Sequence, residues 1–179
     1  MSFALTKRRS GEPGFSILEM MFATIILLIG LVAIAQLVPA SILMNYRNRN
    51  DSSALVFAQR ELDQMLDQPL NSTAFTDALG NTCYLGDPAT PNTIQPASSS
   101  VVVINNQALI DFSAAPATNF SFTYLDPADP SGVTYDVRWA VIIAGNGTTV
   151  SAKRIILGVR QQGGNGYFQP ITLDTVVQK

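Results

Sequence analysis

The chain has 179 residues, of which 47% are hydrophobic and 13% charged, and its net charge is −2. That is room for one globular domain beside a membrane segment, with no excess of positive charge of the kind nucleic acid attracts. The absence of histidine and the single cysteine, Cys83, exclude histidine-dependent triads, Cys–His dyads, imidazole metal sites and any intrachain disulfide.

Taken in order, the chain opens with a basic cluster, Lys7, Arg8 and Arg9, and a short polar run that ends at Gly14. Phe15-Ser16-Ile17-Leu18-Glu19 follows, and from Met20 to Tyr46 there is no charged side chain. A membrane-crossing helix needs about 20 mostly apolar residues, so the run is long enough. Its Leu, Ile, Phe and Val residues, at roughly −0.3 to −0.6 kcal/mol each, outweigh an acid at roughly +3 kcal/mol, so insertion survives Glu19. An acid at the mouth of a membrane segment is by default a functional residue in need of a partner. A cut between Gly14 and Phe15 would supply one, because the new ammonium would lie four residues from Glu19.

Gly14-Phe15-Ser16-Ile17-Leu18-Glu19, with bases before it and an apolar run after it, resembles the class III signal of type IV pilins and type II secretion pseudopilins. The resemblance implies cleavage after Gly14 by a membrane prepilin peptidase, N-methylation of Phe15, and a role for Glu19 in docking the subunit into a helical filament. The partners it implies are that peptidase/methylase, other pilin or pseudopilin subunits, and the inner (cytoplasmic) membrane. The subunit is expected to cross that membrane once, with its C-terminal head in the periplasm or outside, and later to enter a pilus or pseudopilus. Losing residues 1–14 removes Lys7, Arg8, Arg9 and Glu12 and takes the side-chain charge from −2 to −4. The only basic cluster goes with the leader, so no nucleic-acid partner is expected. Many pilins close a C-terminal loop with a disulfide, and a chain with one cysteine departs from that pattern.

Two other readings compete. A conventional signal peptide would use Lys7 to Arg9 as its n-region and Met20 to Val32 as its core, with a cut after Ala33-Ile34-Ala35. Glu19 between n-region and core opposes it, as does the apolar stretch continuing to Met44. A plain uncleaved anchor leaves Glu19 without a purpose.

From Phe15 the pattern reads as one helix. Ala23, Gly30 and Ala33 offer small surfaces for close helix approach, and Pro39 predicts a kink or local melt at residues 35–39. In many major pilins the corresponding proline falls earlier. Beyond the membrane, Leu55, Ala58, Leu62, Met65 and Leu66 form an amphipathic stripe with Arg60, Asp63 and Asp67 off it, and Pro69 stops the pattern. The expected organisation is a leader at 1–14, a transmembrane or filament-core helix at 15–46, an amphipathic helix at 47–68, a variable loop at 69–100 and an antiparallel β head at 101–179.

Within the loop a short helix is expected around Ser72–Ala78. Strand signals appear at Val101–Ile104, Leu109–Phe112 and Phe120–Leu125, then a turn through Asp126-Pro127 and Pro130-Ser131-Gly132. From Val133 to Ala144 the alternation is clearest: Val133, Tyr135, Val137, Trp139, Val141 and Ile143 share one face, and Thr134, Asp136 and Arg138 the other. Gly145-Asn146-Gly147 turns the chain into a hairpin partner, Thr148–Arg160, and a last strand, Tyr167–Val177, follows Gly163-Gly164-Asn165-Gly166. The expected fold is α+β, a long helix capped by an antiparallel sheet of about four strands. Gln59–Leu66 and the Tyr135-Asp136-Val137-Arg138-Trp139 hairpin are similar to minor pilins of the pilus-modification type, with the I-type minor pseudopilins of type II secretion as near relatives.

No constellation in the sequence points to catalysis, so no enzyme, cofactor or metal is expected. Asp63 and Asp67 read as a solvated helix face near Arg60. Asp126 and Asp129 read as turn chemistry rather than the six to eight oxygens of a calcium site. Trp139 reads as core, and Cys83 as a small, partly buried side chain in a loop.

Overall fold

A computed structural model describes residues 14–125, 127, 132–162 and 169–178, except the side chain of residue 50. The chain divides into two compact units, one up to Asn45 and one from Tyr46 onward. A single helix, α1 (Ile17–Asp67), contributes to both.

In the first unit every described residue is exposed, the apolar ones included. The helix passes through Pro39 without interruption, so the expected melt at 35–39 does not occur. A helical proline removes one backbone hydrogen bond, and the helix continues on both sides of it. The hydroxyls in this stretch turn back onto it. Thr24 Oγ1 donates to the Met20 and Met21 carbonyls at 2.8 and 2.9 Å, and Ser41 Oγ to the Leu37 carbonyl at 2.9 Å. Neither hydroxyl therefore carries an unmet donor into an apolar medium.

The second unit is the α+β head. Its main sheet is antiparallel with strand order β5 (Ser121–Leu125), β6 (Thr134–Gly145), β7 (Val150–Gln162), β8 (Ile171–Gln178). The expected β6 face packs as predicted. Val133, Tyr135, Val137, Trp139, Val141 and Ile143 join Ile155, Leu157 and Val159 of β7 against the end of α1. The helix stripe differs from expectation. Its buried members are Ala54, Phe57, Ala58, Glu61, Leu62 and Met65, while Leu55 is exposed and Leu66 only half-buried. Phe57 decides the rotation: its ring stacks on Tyr124 at 4.2 Å and lies 6.3 Å from Tyr135 and 6.4 Å from Phe122. Burying that aromatic area outweighs burying one leucine.

Two small hairpins complete the head. β1 (Ala74–Thr76) pairs with β2 (Thr82–Tyr84) where a short helix was expected. The Asp77 carboxylate accepts from Leu79 N and Asn81 N at 2.9 and 2.6 Å, closing a turn that a helix would have to forgo. Cys83 thus sits on a strand, fully buried, and not in a loop. β3 (Val101–Ile104) and β4 (Gln107–Ile110) form the second hairpin, turning through Asn105 and Asn106 at φ 51° and 63°. Left-handed backbone at both central positions is what a tight hairpin requires, and asparagine tolerates it.

This second hairpin explains a burial the alternation did not predict. Ile110 and Phe112 pack on Ala140 and Ile156, covering the outer face of the sheet. Gly158 permits the approach, since a Cβ there would meet Ile110 Cβ at 2.7 Å. Asp136 and Arg138 are buried as a consequence. Arg138 Nε and Nη2 bind the Asp136 carboxylate at 3.0 and 2.8 Å, and Arg160 Nη2 adds 3.2 Å. The Phe112 ring meets both guanidinium groups, at 5.0 and 4.8 Å. The long connection before β3 is also tied down. Asn92 N, Gln95 N and Ser99 N donate to the Ile143, Val141 and Trp139 carbonyls of β6, so this irregular stretch runs alongside the part of β6 that lies beyond its pairing with β5.

Candidate functional site

The motif residues cluster at the start of α1. Gly14, Phe15 and Ser16 are exposed and lie outside regular structure just ahead of the helix. Ser16 caps it, its Oγ accepting from Leu18 N at 3.3 Å. Glu19 is exposed in the first turn, where a carboxylate faces the positive end of the helix dipole. The candidate cleavage bond thus lies in accessible backbone immediately before a capped helix. The residues before Gly14, which include the basic cluster, lie outside the described residues. By length and composition α1 is long and apolar enough to cross a membrane.

The other residues singled out from sequence do not converge. Asp63 and Asp67 are exposed on the helix. Asp126, Asp129 and Gly163 to Gly166 lie outside the described residues. Asn146 is ordinary turn chemistry, its Oδ1 accepting from Thr148 N and Thr149 N at 3.1 and 2.8 Å. Trp139 is fully buried, and its Nε1 donates to the Tyr84 carbonyl at 2.8 Å. Burial pushes the Cys83 thiol up to about 12, with Asp77 and Glu61 adding to the effect, so it is inert as a nucleophile at neutral pH. Among the described residues no group of three or more acidic or cysteine side chains is placed to hold a metal.

Among the buried charged groups that escaped the sequence reading are Glu61 and Lys153. Glu61 is fully buried in the helix stripe, with Oε1 accepting from Arg60 Nη2 at 3.3 Å and Gln64 Nε2 at 3.1 Å. Lys153 is buried on β7, its Nζ donating to the Ser72 carbonyl at 2.5 Å, and burial lowers it to about 8. A signal for both existed. Glu61 follows Phe57 and Ala58 at helical spacing, and Lys153 alternates with Ile155, Leu157 and Val159 on the inward face of its strand.

Open clefts on the head include two lined by aromatic side chains. One, of about 350 Å³, is lined by Ser53, Val56, Phe57, Arg60 and Tyr124. The other, of about 450 Å³, lies between Tyr84, Phe120 and Pro96 with Asp87 and Thr90 at its edge. Compared with known proteins, the chain matches no family model, no curated protein and no solved structure.

Proposed function

We propose that the chain is a minor pilin of a type IV pilus, inserted once into the inner membrane, cut after Gly14, methylated on Phe15 and assembled into, or priming, a helical filament. The observation that carries this reading is the Gly14-to-Glu19 signature at the start of an unbroken helix, Ile17–Asp67. The apolar part of that helix is exposed throughout its described residues. Repeated head-to-tail packing of such helices makes a non-closing, filament-forming contact. In the filament, Glu19 would meet the Phe15 ammonium of its own or a neighbouring chain. An unpaired charge there is costly, so the pair acts as a check on register more than as net stabilisation.

Intact-mass and N-terminal peptide analysis of the protein from its native membrane tests the processing. A chain beginning at methylated Phe15 supports the proposal. One beginning at Gln36 or Met1 ends it. The Glu19→Ala variant should still insert but enter fibres poorly, and wild-type incorporation would remove Glu19 from the mechanism. An I-type minor pseudopilin of a type II secretion system would share these features, and deletion separates the two by whether pili or secretion are lost. The cleft beside Tyr84 favours a further reading, a head displayed for binding, in which Tyr84→Ala would abolish attachment without reducing fibre number.

A further inference from the structure

The β1–β2 hairpin is fastened to the end of α1 through side chains. Gln64 Oε1 accepts from Ala78 N at 2.8 Å, and the same Gln64 gives its Nε2 to Glu61 Oε1 at 3.1 Å. Behind this contact Glu61 has no solvent exposure, and its second oxygen, Oε2, has no hydrogen-bond partner. A buried carboxylate oxygen left unpaired is costly when charged and cheap when it carries a proton. The groups facing Glu61 make the charged form worse. From the hairpin comes the Asp77 carboxylate, with the neutral Cys83 thiol close by. From its own helix, Arg60 offers one long contact while its side chain is about half exposed. Among the described residues no charged group of the main sheet hydrogen-bonds or ion-pairs with Glu61.

We infer that Glu61 is a proton-operated latch on the β1–β2 hairpin, closed when the buried carboxyl is protonated and loosened when it ionises beside Asp77. This does not rest on the pilin reading. Burial first and Asp77 second raise the Glu61 carboxyl above its ordinary value of 4.5, and the Arg60 and Gln64 contacts offset this only in part. A carboxyl raised on folding gives its full stabilisation below the unfolded value and loses it as pH climbs through the folded one. The hairpin is therefore held most firmly in mild acid. Lys153, at the base of the hairpin through Ser72, is lowered by burial to about 8, so measurements between pH 5 and 7 keep it charged and its contribution fixed.

The test is hydrogen exchange of residues 73–85 in the full-length protein in detergent micelles, corrected for the intrinsic rate and compared with β6 and β7. In the wild type, protection of the hairpin should fall about tenfold, or about 1.4 kcal/mol, between pH 5 and 7 relative to the sheet. In Glu61→Gln it should stay flat. Cys83 is the only cysteine in the chain and is buried on β2, so its labelling by a neutral maleimide gives a second reading. At pH 7 the wild type should label faster than Glu61→Gln. The same pH dependence in both proteins, or hairpin protection that rises with pH, overturns the inference. Should Glu61→Gln fail to fold, carbon-13 titration of the wild-type Glu61 carboxyl decides it, and a midpoint at or below 4.5 is the overturning result.

Discussion

Residues 17–45 and 46–67 belong to one helix but meet different surroundings. In the first stretch apolar side chains point in every direction and all are exposed. In the second, from Ala54 onward, one face is buried in the core of its own head, and the exposed side is mostly polar apart from Leu55 and Val56. A helix that is apolar all round needs an environment to match, and in the described residues this stretch is exposed on every side. The apolar stretch is long and apolar enough to cross a membrane, whereas the second stretch packs within the fold.

Substitutions can break or sharpen that contrast. The largest effect is expected at Trp139, where alanine empties the centre of the core and should cost about 4 kcal/mol. Urea unfolding of the detergent-solubilised chain would measure it, and Leu28→Ala in the exposed stretch should move the same transition by under about 0.5 kcal/mol. Equal losses at the two positions would mean the stretches are not energetically separate. Next comes Asp136→Ala, which leaves Arg138 buried without its carboxylate and should cost about 3 kcal/mol by the same unfolding assay.

Gly158→Ala should cost about 2 kcal/mol, because a methyl there must displace Ile110 and Phe112 from the outer face. Thermal unfolding checks it, and Gly30→Ala, with open space around it, serves as the control that leaves the head unchanged. Lys153→Met should shift stability about 2 kcal/mol the other way at pH 7, by removing a buried cation that has no ion-pair partner among the described residues. The sign follows from burial lowering the amine from 10.5 to about 8. Between those values the unfolded chain binds more protons than the folded one, so wild-type stability rises with pH there, and the variant should lose that slope. The smallest change is expected at Ser16→Ala, about 1 kcal/mol from the lost cap, visible as faster amide exchange limited to the first turn of α1.

Much of the head was legible because period-two and helical alternation are local signals. The β6 face and the hairpin with β7 were read at nearly the right residues. The hairpin in place of a helix at 72–78 was not, because a three-residue strand leaves no periodicity and only its partner, Thr82–Tyr84, makes it a strand. Phe57 and Glu61 were missed in the helix stripe for a related reason. The stripe was sought among aliphatic residues, while the face that won was chosen by the aromatic rings of β5 and β6 across from it.

The sequence alone determined the α+β class, the apolar helix and the main antiparallel hairpin. Each of these rests on neighbours along the chain: hydropathy, alternation and the chemistry of single residues. Tertiary structure decided which helix face turned inward, that both faces of the sheet were covered, and that Glu61 and Lys153 lost their water. Burial is a property of what arrives from elsewhere in the chain, and a carboxylate or an amine reads the same in a sequence whether water reaches it or not.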